Sequence, residues 1–267
     1  MLLCVGICLF AIVSADYLDV NGCFSQRSGF EVSVRVNQVK TTSVVEMKDE
    51  CLRSCLKTLI EPGAKCLSIL HMPKDNDCII AEAVGQTIGR VNTPGVMHQN
   101  YYENECAKLP EGGHVEARLQ GFRGPQGVLQ LAQKKGKNPK ILVIMTGLAA
   151  GRDYNIHYAP ELELDMCKRV NNVHNANIGE KLITVDADPS GMGIQPWTEI
   201  PWHILDDDVL DKVLVVSEKI SGLVIDCGKI AVLGDRNDWE AALNSAHPAS
   251  AMVYLATIVT FFVALLR

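Results

Sequence analysis

The sequence lacks an excess of positive charge, a glycosylation sequon and any familiar catalytic signature, and each absence removes a class of function. Lys and Arg number 25 against 31 Asp and Glu, a net charge of −6 over 267 residues, with both signs mixed along the chain. Nucleic acid calls for a basic surface, so no nucleic-acid partner is expected. The one near-sequon, Asn92-Thr93, runs straight into Pro94, and N-linked sugar is not expected. There is no Gly-rich phosphate loop, no G-x-S-x-G and no H-E-x-x-H, which sets aside the common nucleotide, serine-hydrolase and zinc-protease chemistries.

What is present begins with two apolar ends. Residues 1–15, MLLCVGICLFAIVSA, form a short apolar segment closing on small residues, which suits cleavage before Asp16 as a signal peptide, although no basic residue opens it. A membrane anchor is the alternative, but the run is shorter than the ~20 residues a span needs. Near the other end, Met252 to Leu266 is continuously apolar, and the small residues Asn244, Ser245 and Ala246 lie just upstream. Small residues, a spacer and a greasy tail suit exchange for a glycolipid, so 238–267 is read as a glycolipid-attachment signal with Asn244 as the acceptor, a single membrane span being the alternative. Both readings put the protein on the outer face of a membrane.

Of ten cysteines, Cys4 and Cys8 fall in the leader. The remaining eight, an even number in an exported chain, read as four disulfides rather than as metal thiolates or a nucleophile. Six lie in a first domain, 16–108: Cys23, Cys51, Cys55, Cys66, Cys78 and Cys106. Ser43 to Ile60 has helical periodicity, with Cys51 and Cys55 one turn apart on one face, and strands are expected around Cys66 and Cys78. Spacing alone permits fifteen pairings. His71 and His98 are expected at the surface. Leu109-Pro110-Glu111-Gly112-Gly113, rich in turn formers, marks a linker at 109–113.

An opening cysteine, a helix bearing C-x3-C, two strand cysteines and the closing Tyr101-Tyr102-Glu103-Asn104-Glu105-Cys106 resemble the PAN/apple domain. The resemblance implies a small α+β unit with nested bridges, Cys23 to Cys106, Cys51 to Cys78 and Cys55 to Cys66. It also implies a non-catalytic module that binds an extracellular protein or carbohydrate.

In a second domain, 114–237, short strand candidates recur: Val115 to Leu119, Gly127 to Ala132, Ile141 to Met145, Tyr154 to Tyr158, Lys181 to Val185, Val213 to Val216 and Leu223 to Leu233. Turn signals separate most of them, which indicates an antiparallel sandwich or barrel in a mainly β protein. The run Gly124 to Pro160, then Val215-Val216-Ser217-Glu218-Lys219 and Asp226-Cys227-Gly228-Lys229-Ile230, resemble the copper/zinc superoxide dismutases. That resemblance implies a Greek-key sandwich or barrel with a bridge from Cys167 to Cys227. Closing a loop of about sixty residues is worth about 4 kcal/mol by loop entropy.

The family's metal ligands are mostly replaced. Its first H-x-H reads Asn155-Ile156-His157, its late copper histidine is Ser217, and its substrate-guiding arginine is Val224. His174 stands at the bridging position, with Asn177 and Glu180 near the remaining zinc positions, but only four residues separate His174 from Gly179. Copper cycling between oxidation states wants three or four nitrogen ligands. His157 and His174 are therefore weak metal candidates, no cofactor is expected, and copper is the alternative. Gly193 to Asp208 has no counterpart in the family. Its Trp197 and Trp202 are candidate partner-binding residues, with packing over the open end of the barrel as the competing reading. The expectation is a non-enzymatic cell-surface protein for recognition, adhesion or receptor assembly, and the alternative is a surface copper protein with residual redox activity.

Overall fold

The computed structural model describes residues 20–27, 30–90, 99–167, 169–171, 173, 178–202, 204 and 208–246. His98, His174, Asn177, His203 and both apolar ends of the sequence lie outside them. The protein is mainly β, a small disulfide-rich α+β unit followed by an antiparallel barrel.

The first unit contains β1 (Phe24–Arg27), β2 (Phe30–Ser33), β3 (Val39–Val44), α1 (Lys48–Thr58), β4 (Ser68–Met72), β5 (Asp77–Ala81), β6 (Gln86–Arg90) and β7 (Asn100–Asn104). Five strands form one antiparallel sheet in the order β1-β7-β4-β5-β3, and β2 and β6 make a separate ribbon. Helix α1 is shorter than the expected Ser43 to Ile60, because Ser43 and Val44 belong to β3 and pair with Cys78 and Asp77. The β-branched stretch from Thr41 to Val44 fits a pleated edge better than a helix, where its χ1 angles would crowd the preceding turn. Cys51, Leu52, Cys55 and Leu56 are buried on one face of α1. Bridges join Cys51 to Cys78, Cys55 to Cys66 and Cys23 to Cys106, the pairs that the apple resemblance implies.

The barrel contains β8 (Gly113–Arg118), β9 (Gln126–Gln133), β10 (Lys140–Thr146), β11 (Asp153–Ala159), α2 (Leu164–Cys167), β12 (Lys181–Asp186), β13 (Gly193–Glu199), β14 (Val213–Glu218), β15 (Val224–Val232) and α3 (Arg236–Ala246). The strand order is β12-β11-β14-β15-β8-β9-β10-β13, and a bridge between Ala187 and Gly193 links the two end strands. Strand β10 pairs with β13 rather than with its successor β11, and β11 pairs with β14, so the connections are of Greek-key type. Gly112 turns the chain into β8 at φ +125, where a Cβ would lie 2.0 Å from the Gln133 carbonyl oxygen.

Burial explains a pattern that is odd for an antiparallel sheet. Strands with one wet face alternate, yet Ile141 through Met145 and Val213 through Glu218 are continuously buried. Ile141, Val143 and Met145 fill the barrel interior, whereas Leu142 and Ile144 face the first unit. There they join Val128, Met192 and Ile194 in one core with Leu52, Leu56, Ile69 and Tyr102. The two domains therefore share a hydrophobic core. Polar bonds bind the rim of this seam: Arg53 Nε donates to Asp188 Oδ2 at 3.0 Å, Arg118 Nη1 to the Ile60 carbonyl at 2.6 Å, and the Trp197 indole to the Cys106 carbonyl at 3.1 Å.

Three expectations are decided here. Gly193 to Glu199 is a strand rather than part of a presented loop, and Pro196 is tolerated because β13 is hydrogen-bonded along its length only to β10. The tryptophans follow the packed reading: partly buried Trp197 packs in the seam, and Trp202 is 8% exposed with its ring centroid 4.5 Å from that of Tyr158. The barrel does not end at 237, because α3 runs to Ala246 and Trp239 is buried in the barrel core. Asn244 accordingly lies in the last turn of a helix.

Candidate functional site

The expected metal position lies on the outer face of β11 and β14. Alternation along β11 sends Tyr154 and Ile156 into the core and leaves Asn155 and His157 on the other face. In the β11–β14 register, Asn155 stands opposite Ser217 and His157 opposite Val215. A loop covers this face, with Leu162, Leu164, Val170, Val173 and Ile178 packed on Val213, Val215 and Val224. The Cys167–Cys227 bridge pins it, as the dismutase resemblance implies. Arg123 staples it further, donating from Nη1 to the Val224 carbonyl at 2.7 Å and from Nη2 to Asn171 Oδ1 at 2.6 Å. At its exit Gly179 lies so close to β11 that a Cβ would sit 2.3 Å from the Tyr158 carbonyl oxygen.

Beneath the loop two side-chain pairs form. Ser217 Oγ and His157 Nε2 are hydrogen-bonded at 3.2 Å, and Thr184 Oγ1 donates to Asn155 Oδ1 at 2.8 Å. Burial holds the His157 imidazole below its ordinary pKa, the Gly179 backbone offsets this in part, and the Lys181 charge adds to it. His157 Nδ1 is buried and completes no hydrogen bond. A serine beside an imidazole is the start of a nucleophile–base pair. Here, however, Ser217 is fully buried, so its hydroxyl cannot meet a substrate. Among the described residues, no group of three or more His, Cys, Asp and Glu could hold a metal ion. Among the described residues the donor set at this face is one imidazole, a hydroxyl and an amide already engaged, and these by themselves do not fit a copper or zinc centre.

The sequence identifies His157, but it records Ser217 and Asn155 only as missing ligands. Their bonding to His157 and Thr184 depends on a register that only pairing reveals. Asp226 carries a second buried charge, 1% exposed, and accepts N–H bonds from Gly121 at 2.5 Å and Cys227 at 2.8 Å. Burial pushes its carboxyl up while those bonds pull it back. Its role is to hold the turn after β8. At the seam, burial raises Asp188, but bonds from Ser190, the Met192 N–H and Arg53 outweigh it and leave the carboxyl below its ordinary value.

His71, expected at the surface, is 3% exposed on β4 and neither ring nitrogen completes a hydrogen bond. Burial lowers its pKa, the Val45 backbone partly offsets this, and Lys48 adds to the lowering. Both His71 and His157 are thus depressed below 6.5. In the unfolded chain they titrate near 6.5, so that state takes up more protons as pH falls. The stability present above about pH 6.5 is therefore lost progressively below it. His71→Phe removes one such group and two unpartnered nitrogens. Melting curves at about pH 8 and about pH 5 are expected to show a smaller acid drop for the variant. An unchanged drop would place the acid sensitivity elsewhere.

No family model matches the chain. A Caenorhabditis elegans protein described as uncharacterized is 35% identical over 217 residues, which cover 78% of this chain and 74% of that one. At that identity and coverage, the chain belongs to the same family as the C. elegans protein.

Proposed function

We propose that this is a non-enzymatic protein of the outer cell surface, in which an apple-like unit and a superoxide-dismutase-like barrel form one recognition body for an extracellular protein or carbohydrate. The carrying observation is the pairing of His157 with Ser217 and of Asn155 with Thr184, which occupies with internal hydrogen bonds the positions where a redox barrel keeps ligands. The Greek-key strand order and the nested bridges of the first unit support the two resemblances. Disulfides accord with an oxidising compartment. No helix among the described residues is long and apolar enough to cross a membrane, and the apolar stretch Met252 to Leu266 lies outside them.

One observation favours a copper-binding reading: the unpartnered Nδ1 of His157, with the second histidine candidate, His174, seventeen residues further along the sequence and outside the described residues. The two readings separate on intact cells. Under the first, surface biotinylation labels the protein, a phosphatidylinositol-specific phospholipase releases it, and the released protein carries far less than one copper per chain. Retention inside the cell overturns the surface assignment. Resistance to the phospholipase with surface labelling favours a membrane span over a glycolipid, and stoichiometric copper favours the rival.

A further inference from the structure

We infer that the cleft between the end of α1, the chain joining the two units and the barrel is a binding site for a small amphiphilic acid, an apolar chain that carries a carboxylate. Such a site goes beyond recognition of a macromolecule and stands or falls apart from the cell-surface assignment. The cleft has a volume of 420 Å³ and is built by both units together. Leu59, Ala64 and Leu67 come from the first unit, Ala107 and Leu109 from the joining chain, and Gln130 and Leu233 from the barrel. Small-molecule sites are concave, mostly apolar, furnished with a few polar groups, and common where two domains meet.

Its walls are fixed before a ligand arrives. Lys65 and Leu67 flank Cys66, which is bridged to Cys55, and Cys106 in the opposite wall is bridged to Cys23. The Ala64 N–H donates to the Glu61 carbonyl at 3.2 Å and the Leu67 N–H to the Ala81 carbonyl at 2.8 Å, which sets the turn that carries Lys65. From the barrel, Arg118 Nη1 holds the Ile60 carbonyl, while Nε and Nη2 donate to the two carboxylate oxygens of Glu116 at 2.8 and 3.0 Å. A ligand entering such a site orders little of the protein, so little affinity is lost to entropy.

Charge and size name the ligand class. Lys65 and Arg118 line the cleft, and no Asp or Glu does. The Arg118 charge is already met by Glu116 and its remaining donor by Ile60. Lys65 is exposed and makes no ion pair among the described residues. Its ammonium therefore stands unmatched beside leucines, of which Leu109 is 47% exposed. An apolar chain covers those leucines and a carboxylate answers the ammonium. A sugar would leave the leucines wet, and a neutral hydrocarbon would leave the ammonium unused. The volume lies at the small end of the range for small-molecule pockets, about 300 to 1,000 Å³, and a protein partner needs about 800 Å² of surface on each side.

The test is calorimetric titration of the purified oxidised protein with octanoate and with 1-octanol, which share a chain and differ in the head group. The expected result is saturable octanoate binding, with octanol weaker by about threefold to fivefold, the most that an exposed ion pair supplies. Lys65→Gln should remove that difference by weakening octanoate alone. Ala64→Trp fills the cleft and should weaken both ligands by about tenfold or more while the melting temperature stays that of the parent. Should Ala64→Trp melt early, Leu109→Asp decides, because at an exposed position it spares the fold. Its carboxylate should weaken octanoate about threefold more than octanol. Equal binding of acid and alcohol by the parent overturns the amphiphilic acid as the ligand. No saturable binding of either, or octanoate binding that Ala64→Trp and Leu109→Asp leave unchanged, overturns the cleft as the site.

Discussion

Replacing Ile144 with alanine is expected to cost about 3 kcal/mol and to lower the melting temperature of both domains together by about 10 °C. Ile144 is fully buried, but not in the barrel interior: it points outward from β10 into the core shared with Leu52, Leu56 and Ile69 of the first unit. Truncating a buried isoleucine costs its transfer free energy plus a cavity term, and the cavity term is large where the walls cannot collapse. Here one wall is a barrel sheet and the other is a helix bridged to Cys66 and Cys78. If the domains were independent beads on a linker, Ile144 would sit at a surface and the substitution would fall within about 0.5 kcal/mol. Calorimetry of the oxidised protein, with hydrogen exchange of α1 amides as the probe of the first unit, distinguishes the outcomes. A lone barrel transition shifting under an unchanged first-unit transition would refute the shared core.

Trp239→Ala should cost more, about 4 kcal/mol, although it lies beyond the boundary that the sequence suggests for the barrel. Its ring is 3% exposed and packs from α3 into the main barrel core. Ending the chain after Gly234 should therefore destabilise the barrel by at least as much. Chemical denaturation followed by the fluorescence of Trp197 and Trp202 measures the loss directly. A variant as stable as the parent would return 238–246 to the role of a detachable tail.

These two residues show where the sequence stopped being legible. Spacing alone left fifteen pairings of the first six cysteines open, and the four bridges that the structure forms are those that the two resemblances imply. Barrel strands with clear turn signals were readable to within a residue or two. The apolar runs Ile141 to Met145 and Val213 to Val216 were readable as strands, but not what covers their two faces, since an apolar surface does not name its partner. That cover is the first unit in one case and the Cys167 loop in the other. For Trp197 and Trp202 a partner-binding and a packed reading both stood open and the structure packs them, while Trp239 fell in the segment read as an attachment signal. Proline neighbours and a nearby acidic cluster suggest a presented loop, whereas indoles of their size were recruited to close a seam and a core. Of the candidate site, His157 was legible as a residue and illegible as a partner, because the bond to Ser217 joins positions sixty residues apart.

The claim that a redox barrel's ligand positions are here tied to one another is tested most directly by titrating Cu(II) into the purified oxidised protein under electron paramagnetic resonance, alongside a superoxide dismutation assay. The account predicts no saturable copper signal with three or more nitrogen couplings, no turnover above free copper, and the same result for His157→Ala. One equivalent of copper bound through several imidazoles, abolished in His157→Ala and accompanied by dismutation, would contradict it.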